Sequence, residues 1–260
     1  MPERLSTQIR TGGEQAASGD VGLTVVSGQI KWFDASKGFG FIVPDDQGPD
    51  ILLHVTCLRR DGYAAAFRNS KVQEAIMEGV NGRVAVTYVE WADTGFQRAA
   101  ADWTVIASED DALDFAARVA SAPFERGHYT AIGSAIADGV RRIDDNDYTA
   151  PRLIIDISGD GPQNQGLPLD SAHALADRSN IVVNGLPVIS SSEGRWVRPV
   201  EVNLEGYFRE NVITGPGAFV LPARTEDEFR VAILRKLVLE IAGAMPSGPE
   251  LDVSGLGRAP

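Results

Sequence analysis

The sequence is poor in cysteine, histidine and basic residues, and each shortage excludes a class of protein. Its 260 residues include one cysteine, three histidines and 24 Lys and Arg against 36 Asp and Glu, for a net charge of −12. One cysteine cannot form an intrachain disulfide or a CxxC zinc pair. No run approaches the roughly 18 apolar residues of a membrane span, and the N-terminus lacks the apolar core of a secretion signal. We therefore expect a cytoplasmic protein without a membrane partner, whose contacts with nucleic acid would be local.

The composition divides the chain into tails, a β-rich segment and an α/β region. Residues 1–23 and 244–260 are polar and lack an apolar period, which predicts disordered tails. Short strand-like runs occupy residues 24–57, separated by turn clusters. Over residues 58–243 strands and helices alternate. This alternation predicts a doubly wound α/β sheet with helices on both faces.

The apolar periods predict the individual elements of the α/β region. The runs at 151–158 and 181–189 are apolar at nearly every position, as in strands covered on both faces. Thr225 and Glu228 have the spacing of a capping box, which predicts a helix start. Helices are predicted over 58–77, 110–120, 131–143, 169–178, 204–211 and from Thr225 onward, and strands over 84–91, 98–106, 151–158, 181–189 and 218–223.

Aromatic and basic residues are concentrated in QIKWFDASKGFGFIVPDDQGPDILLHVT. Phe39 and Phe41 alternate along a predicted strand and so share one face, where rings can stack bases while lysines contact phosphates. The segment resembles the cold-shock domain family, five-stranded OB-type barrels that bind single-stranded RNA and DNA, and KGFGFI matches that family's first ribonucleoprotein motif. The resemblance implies stacking by Trp32, Phe33, Phe39, Phe41 and His54, and backbone contacts by Lys31 and Lys37.

This resemblance covers only Thr24–Tyr63, enough for three of the five barrel strands. Leu52 and Val55 stand where many members of the family place aromatic residues. Each base–aromatic stack contributes roughly 1–3 kcal/mol, and acidic residues outnumber basic ones in the segment. The sequence therefore predicts a partial OB-type fragment that binds single-stranded RNA or DNA weakly.

A second, longer resemblance begins at Arg60. The runs GRVAVTYVEWA, YTAIGSAI, IDISGDGPQNQG, VVNGLPVI and GPGAFVLPA resemble a bacterial family of von Willebrand factor type A-like domains of unknown function. Type A domains hold a divalent cation at the carboxyl ends of the strands through an Asp-x-Ser-x-Ser loop, a Thr and an Asp. The resemblance gives Thr130 and Asp160 the last two roles, but the first loop is absent. We therefore expect only a vestige of the metal site, and no cofactor.

No catalytic arrangement is predicted. The histidines are far apart in sequence, no GxSxG or HExxH run occurs, and SGDGPQNQG lacks the Lys and Ser/Thr of a phosphate loop. Asp156 is interpreted as a strand-terminal residue making a cap or turn hydrogen bond, and Cys57 as a buried, inert thiol. The sequence therefore favours a non-enzymatic binding protein.

The two resemblances meet at LRRDGY, where each is incomplete. The barrel lacks its last two strands, and the sheet lacks the first strand, which is central in the second family. Losing four or five buried apolar side chains forfeits roughly 6–15 kcal/mol at about 1.5–3 kcal/mol each. One hypothesis is that residues 51–55 (ILLHV) replace the missing strand. The competing arrangement keeps ILLHV in the barrel fragment and leaves the sheet open at its middle, and this energy estimate disfavours it.

Weak binding of single-stranded nucleic acid is the function that these residues favour. Two alternatives stay open. One is a protein-interaction domain of the type A class, with a degenerate metal site and a protein partner at the carboxyl-end face of the sheet. The other is a recombinant fusion without an evolved function.

Overall fold

The computed structural model describes residues 4–9, 24–34, 39–45, 51–123, 127–189 and 203–243. The chain divides into two compact units, Met1–Arg60 and Asp61–Pro260. The predicted tail over 244–260 lies outside the described residues. Within the described ranges, no helix combines the length and the apolar character that crossing a membrane requires.

The first unit is a four-stranded antiparallel sheet in which strand order follows chain order. Its strands are β1 (Arg4–Ile9), β2 (Thr24–Asp34), β3 (Phe39–Pro44) and β4 (Ile51–His54). Strand β1 departs from the predicted disordered tail, because Arg4–Ile9 pairs with β2 along its whole length. Apolar and β-branched residues alternate with polar ones over these six residues, a strand pattern too short to stand out from the composition around it.

Strand β4 pairs with β3, so the hypothesis that ILLHV completes the α/β sheet is wrong. The register runs from Ile42 opposite Ile51 to Phe39 opposite His54. In the described part of the chain, β4 has β3 as its one neighbour. A partner a few residues away is favoured because closing a short loop costs little conformational entropy.

Helix α1 (Val55–Phe67) continues past the boundary at Arg60, and helices and strands then alternate. The remaining elements are α2 (Ser70–Glu78), β5 (Val84–Trp91), β6 (Gln97–Ile106), α3 (Glu109–Ser121), α4 (Ile132–Asp144), β7 (Leu153–Gly159), α5 (Leu169–Arg178), β8 (Ile181–Pro187), α6 (Leu204–Asn211) and α7 (Glu226–Ala242).

The helix predicted over 58–77 is two helices, α1 and α2. Asn69 separates them, because its backbone is extended and its side chain accepts a hydrogen bond from the backbone nitrogen of Lys71. This is the geometry of an N-cap, for which Asn is among the preferred residues. The apolar period continues across the cap, so the pattern by itself predicted one helix.

The strands of the second unit form two ladders in the described residues, where the sequence predicts one doubly wound sheet. Strands β5 and β6 pair antiparallel, and β7 and β8 pair parallel. The predicted strand over 218–223 makes two parallel bridges, Val220 with Gly185 of β8 and Ala223 with Val188, the residue after β8. No described strand joins β5 to β7. Of the two arrangements considered for the junction, the pairing of β4 with β3 agrees with the one that keeps ILLHV in the barrel fragment.

Strand β8 is covered on both faces, as its apolar run predicts. Val183 belongs to a core cluster with residues of α4, α5 and α6. Leu186 belongs to another cluster with Tyr63 of α1 and Phe229 of α7. The packing of α1 against α7 is close at Gly62, where an added Cβ would lie 2.9 Å from Ile233 Cδ1. Helices therefore pack on both faces of β8 in the second unit.

Candidate functional site

The register of the first unit places most of the predicted binding residues on one face. Residues directly opposite each other in an antiparallel ladder share a face, as do residues two apart along a strand. Trp32 is opposite Phe41, and Phe41 is opposite Leu52. Phe39, two residues before Phe41, is opposite His54. We call the face with Trp32, Phe39, Phe41 and His54 the aromatic face.

The exposure of two neighbouring side chains on β3 shows which face is open. Val43 lies two residues beyond Phe41, on the aromatic face, and is 38% exposed. Pro44 lies on the opposite face and is buried. At this end of β3 the aromatic face is thus the face that solvent, or a ligand, can reach.

The register does not place the three other predicted binding residues on the aromatic face. Phe33 is opposite Gly40 and therefore lies on the face opposite Trp32. Lys31 lies at a register irregularity between Ile30 and Trp32, a β-bulge that inserts an extra residue into β2. Lys37 lies outside the described residues. The register thus groups four of the predicted residues and separates Phe33 from them.

A buried group of charged and polar side chains in the second unit was missed by sequence reasoning. Lys236 of α7 is fully buried, and its Nζ lies 2.8 Å from Asp156 Oδ1 and 2.5 Å from Glu240 Oε1. Asn184 Nδ2 donates to Glu240 Oε1 at 2.7 Å, and Asn184 Oδ1 accepts from the backbone nitrogen of Phe219 at 3.0 Å. We call Asp156, Asn184, Lys236 and Glu240 the Lys236 cluster.

Asp156 is not the strand-terminal cap that the sequence suggested. It lies within β7, and its Oδ2 accepts a 3.0 Å hydrogen bond from the hydroxyl of Tyr63, which also lies 2.8 Å from Ser158 Oγ. The sequence did contain a signal of this buried contact, because Asp156 is a charged residue in the middle of the apolar run LIIDIS. A strand covered on both faces can hold a carboxylate only with a partner.

Burial and neighbouring charges shift the pKa values of Tyr63 and of two members of the Lys236 cluster, Lys236 and Glu240. Burial raises the pKa of the Tyr63 hydroxyl well above its usual range, and the neighbouring Asp156 carboxylate adds to the rise. Burial lowers the pKa of Lys236, but Asp156 and Glu240 outweigh it, so the net shift is upward. Burial also raises the pKa of Glu240, a shift that Lys236 opposes and Asp156 reinforces.

These shifts predict a loss of stability at alkaline pH. Tyr63 and Lys236 have pKa values in the folded state above their ordinary values of about 10 and 10.4, so they release protons more readily when the chain unfolds. The stability that their retained protons provide is complete below about pH 10 and falls as the pH rises further.

Urea unfolding at pH 8 and pH 11, followed by circular dichroism, measures this effect. The fall in unfolding free energy should be smaller in Tyr63→Phe, which has no hydroxyl proton to release there. Tyr129→Phe is the matched control, because Tyr129 is 53% exposed. An equal fall in the parent and both variants would contradict the role of Tyr63.

The loops that carry Thr130 and Asp160 lie beside each other. The backbone nitrogen of Thr130 donates to Asn164 Oδ1 at 2.8 Å, and that of Asn164 donates to the Thr130 carbonyl at 3.0 Å. Thr130 Oγ1 lies 3.9 Å from the position that a Cβ would take on Gly161. Within the described part of the chain, no three His, Cys, Asp or Glu residues are grouped as metal ligands.

Comparisons with known proteins identify both parts of the chain. The family described as "Protein of unknown function (DUF1194)" matches residues 54–245. Cold shock-like protein CspG of Escherichia coli strain K12 is 39% identical over 64 residues, which are 25% of this chain and 91% of that protein. Cold shock-like protein CspC of Buchnera aphidicola is 38% identical over 61 residues, 24% of this chain and 88% of that protein.

The chain belongs to the DUF1194 family, and its first quarter belongs to the cold-shock family. Both resemblances inferred from the sequence are thereby confirmed. The DUF1194 match extends slightly beyond the predicted 58–243 at each end. The cold-shock match, at 64 residues, is longer than the segment Thr24–Tyr63 that carries the sequence motifs.

One solved structure supports the mixed helix and strand fold. Proximal thread matrix protein 1 from the mussel byssus superposes with a TM-score of 0.51 and 14% sequence identity, covering 71% of this chain. The chain spans 43% of that structure. At this identity the likeness concerns the fold alone.

Proposed function

We propose that the chain is a non-enzymatic protein that binds single-stranded RNA or DNA weakly through its aromatic face. The observation that carries the proposal is the register, which aligns Trp32 with Phe41 and Phe39 with His54 on one face. Bases stack on aromatic rings with little dependence on sequence. The similarity to cold shock-like proteins supports this use of the face. The sequence also predicts a cytoplasmic location, where single-stranded RNA or DNA would be available to bind.

The electrostatics of the chain set the expected affinity. A net charge of −12 repels phosphates at long range, and Asp34 stands opposite Phe39 at one end of the aromatic face. Leu52 stands opposite Phe41 where an aromatic residue would add a further stack. We therefore expect dissociation constants no tighter than micromolar for oligo-dT.

Replacing Phe41 with alanine tests the proposal most directly. One base–aromatic stack contributes roughly 1–3 kcal/mol, so Phe41→Ala should weaken oligo-dT binding by about five- to 140-fold. Quenching of tryptophan fluorescence, titrated with oligo-dT at low and high salt, measures the affinity. Trp32 lies opposite Phe41 and serves as the reporter.

Val43→Ala is the matched control for Phe41→Ala. Val43 lies on the same strand and the same face, is apolar and exposed, and has no ring. Its replacement should change the affinity by less than twofold. If Phe41→Ala and Val43→Ala bind as the parent does while Lys37→Ala does not, the contact is ionic and stacking is wrong. If the parent does not bind at all, the protein-interaction and fusion alternatives replace the proposal.

A further inference from the structure

Two strands of the second unit each have one edge that no strand in the described ranges pairs with. Strand β5 pairs with β6 on one side, and β7 pairs with β8 on one side. We call the space between the other edges of β5 and β7 the strand slot. Backbone groups along such edges can pair with an added strand. We propose that residues 250–254 of this chain fill the strand slot as a parallel β-strand.

Aromatic side chains connect the two edges of the strand slot. The Tyr63 ring lies 5.3 Å from the Tyr88 ring of β5, and the Tyr63 hydroxyl lies 2.8 Å from Ser158 Oγ of β7. Further along, Trp91 Cη2 lies 3.6 Å from the position that a Cβ would take on Gly159. The contacts advance toward the carboxyl ends of both strands, so β5 and β7 run in the same direction. Contacts through whole aromatic side chains fit strands about two spacings apart, roughly 9–10 Å, which leaves room for one strand.

Helix α7 and strand β5 give the strand slot an apolar wall. Half-buried side chains of both elements pack against one buried cluster, namely Val84 and Val86 of β5 and Val238 and Ile241 of α7. The opposite face of the β5–β6 ladder is more open, since Val105 on that face is 36% exposed. A strand in the slot should therefore direct apolar side chains toward α7 and polar ones away from it.

Helix α7 ends at the side of the slot where a parallel strand must enter. Lys236 contacts Asp156 in the middle of β7. Nearer the end of the helix, Arg152, directly before β7, donates to the carbonyl of Glu240 at 2.8 Å. At the C-cap, a Cβ added to Gly243 would lie 2.7 Å from Arg152 Nη1. The chain beyond residue 243 therefore starts at the amino end of β7.

Residues 250–254 (ELDVS) have the alternation that the slot requires. Leu251 and Val253 are apolar and would share one face of a strand, whereas the other three residues are polar and would share the opposite face. The run Arg4–Ile9 is a precedent in this chain. Its surroundings predict a disordered tail, yet it pairs along its whole length as β1.

The linker and the charges also fit this placement. Residues 244–249 can span up to about 20 Å when extended, which is ample to pass from the end of α7 into the slot. Arg83 and Arg152 directly precede β5 and β7 and are exposed. Glu250 would begin the added strand at the same end, and opposite charges there favour this direction.

Cysteine labelling of the full chain tests whether the segment is held. In a Cys57→Ser background, Val253→Cys places the single thiol on the side directed at α7, and Ala259→Cys places it beyond the added strand. An aromatic disulfide reagent should label Val253→Cys at least about tenfold more slowly, because that thiol reacts only when the strand leaves the slot. Equal rates overturn the proposal. Protection that disappears on dilution would place the segment in the slot of a second copy and overturn the intrachain strand.

Hydrogen exchange tests where the segment is held. Leu251→Asp puts a charge against the apolar wall and should speed amide exchange in β5 and β7 by at least about tenfold. Strand β8, which has neighbours on both sides, should change by less than about twofold. Ala259→Asp is the matched control, because it adds the same charge beyond the strand, and it should change none of the three.

The other exchange results count against the proposal. If Leu251→Asp leaves β5 and β7 unchanged, residues 250–254 do not occupy the slot, and a strand of another protein is the occupant to seek. If exchange rises equally in β5, β7 and β8, the segment supports the fold as a whole and the slot assignment is wrong.

Discussion

Lys236→Ala is expected to lower the free energy of unfolding by about 3–5 kcal/mol, because it leaves two buried carboxylates without their cation. The Nζ atom of Lys236 contacts both Asp156 and Glu240, and the side chains of these acids are only 17% and 7% exposed. Urea unfolding followed by circular dichroism at pH 7 measures the change. The loss should shrink at low pH, where Glu240, whose pKa is raised by burial, takes up a proton and no longer needs a cation.

Arg209→Ala is the matched control for Lys236→Ala. Arg209 also pairs with an acid one helical turn away, Glu205 at 3.2 Å, but the two side chains are 57% and 30% exposed. Exposed pairs of this kind contribute about 0–1 kcal/mol. If Lys236→Ala costs no more than Arg209→Ala, the Lys236 cluster is not a source of stability.

Phe208→Ala is expected to cost about 3–5 kcal/mol, the usual range for removing a fully buried aromatic ring. Phe208 of α6 has no exposed surface and belongs to the core cluster that includes β7 and β8. Its ring lies over two strand glycines: an added Cβ would be 2.8 Å from the ring at Gly185 and 3.3 Å from it at Gly159. The absence of side chains at these glycines makes room for the ring.

A double-mutant cycle with Gly185→Ala tests this packing. In the parent, Gly185→Ala should destabilise the protein because the new methyl group clashes with the ring. In the Phe208→Ala background the same change should cost less, because the ring is gone, so the two effects are not additive. Additive losses in thermal or urea unfolding would show that Gly185 and Phe208 do not share this space.

Elements whose signals are local were predicted closely. Helices α5 and α6 have the predicted bounds, and β5 does as well. The predicted cap of α7 is confirmed, since the backbone nitrogen of Glu228 donates to Thr225 Oγ1 at 3.1 Å. The Glu228 carboxylate accepts from the backbone nitrogen of Arg224, one residue before the position that a capping box would use.

Features that depend on pairing between distant segments were not predicted. The placement of ILLHV in the α/β sheet was wrong, because the apolar run ILLH suits a strand buried on both faces and equally suits a hairpin partner. Asp156 was misinterpreted for a related reason. Its contact with the Tyr63 hydroxyl joins residues 93 positions apart, and no periodicity within β7 indicates such a partner.

By itself, the sequence determined the two family memberships, the helices and strands of the α/β region, and the aromatic residues that a nucleic-acid face would need. These features depend on composition, on the local period of apolar residues and on short motifs, all of which can be recognised from residues close together in the sequence. Tertiary structure alone decided which residues share a face, with Phe33 separated from Trp32, and which strand accepts Ile51–His54. It also decided that Lys236 meets Asp156 and Glu240 in the core. These outcomes depend on which of several similar apolar segments pack together, and that choice is made by the free energy of the whole fold rather than by any one segment.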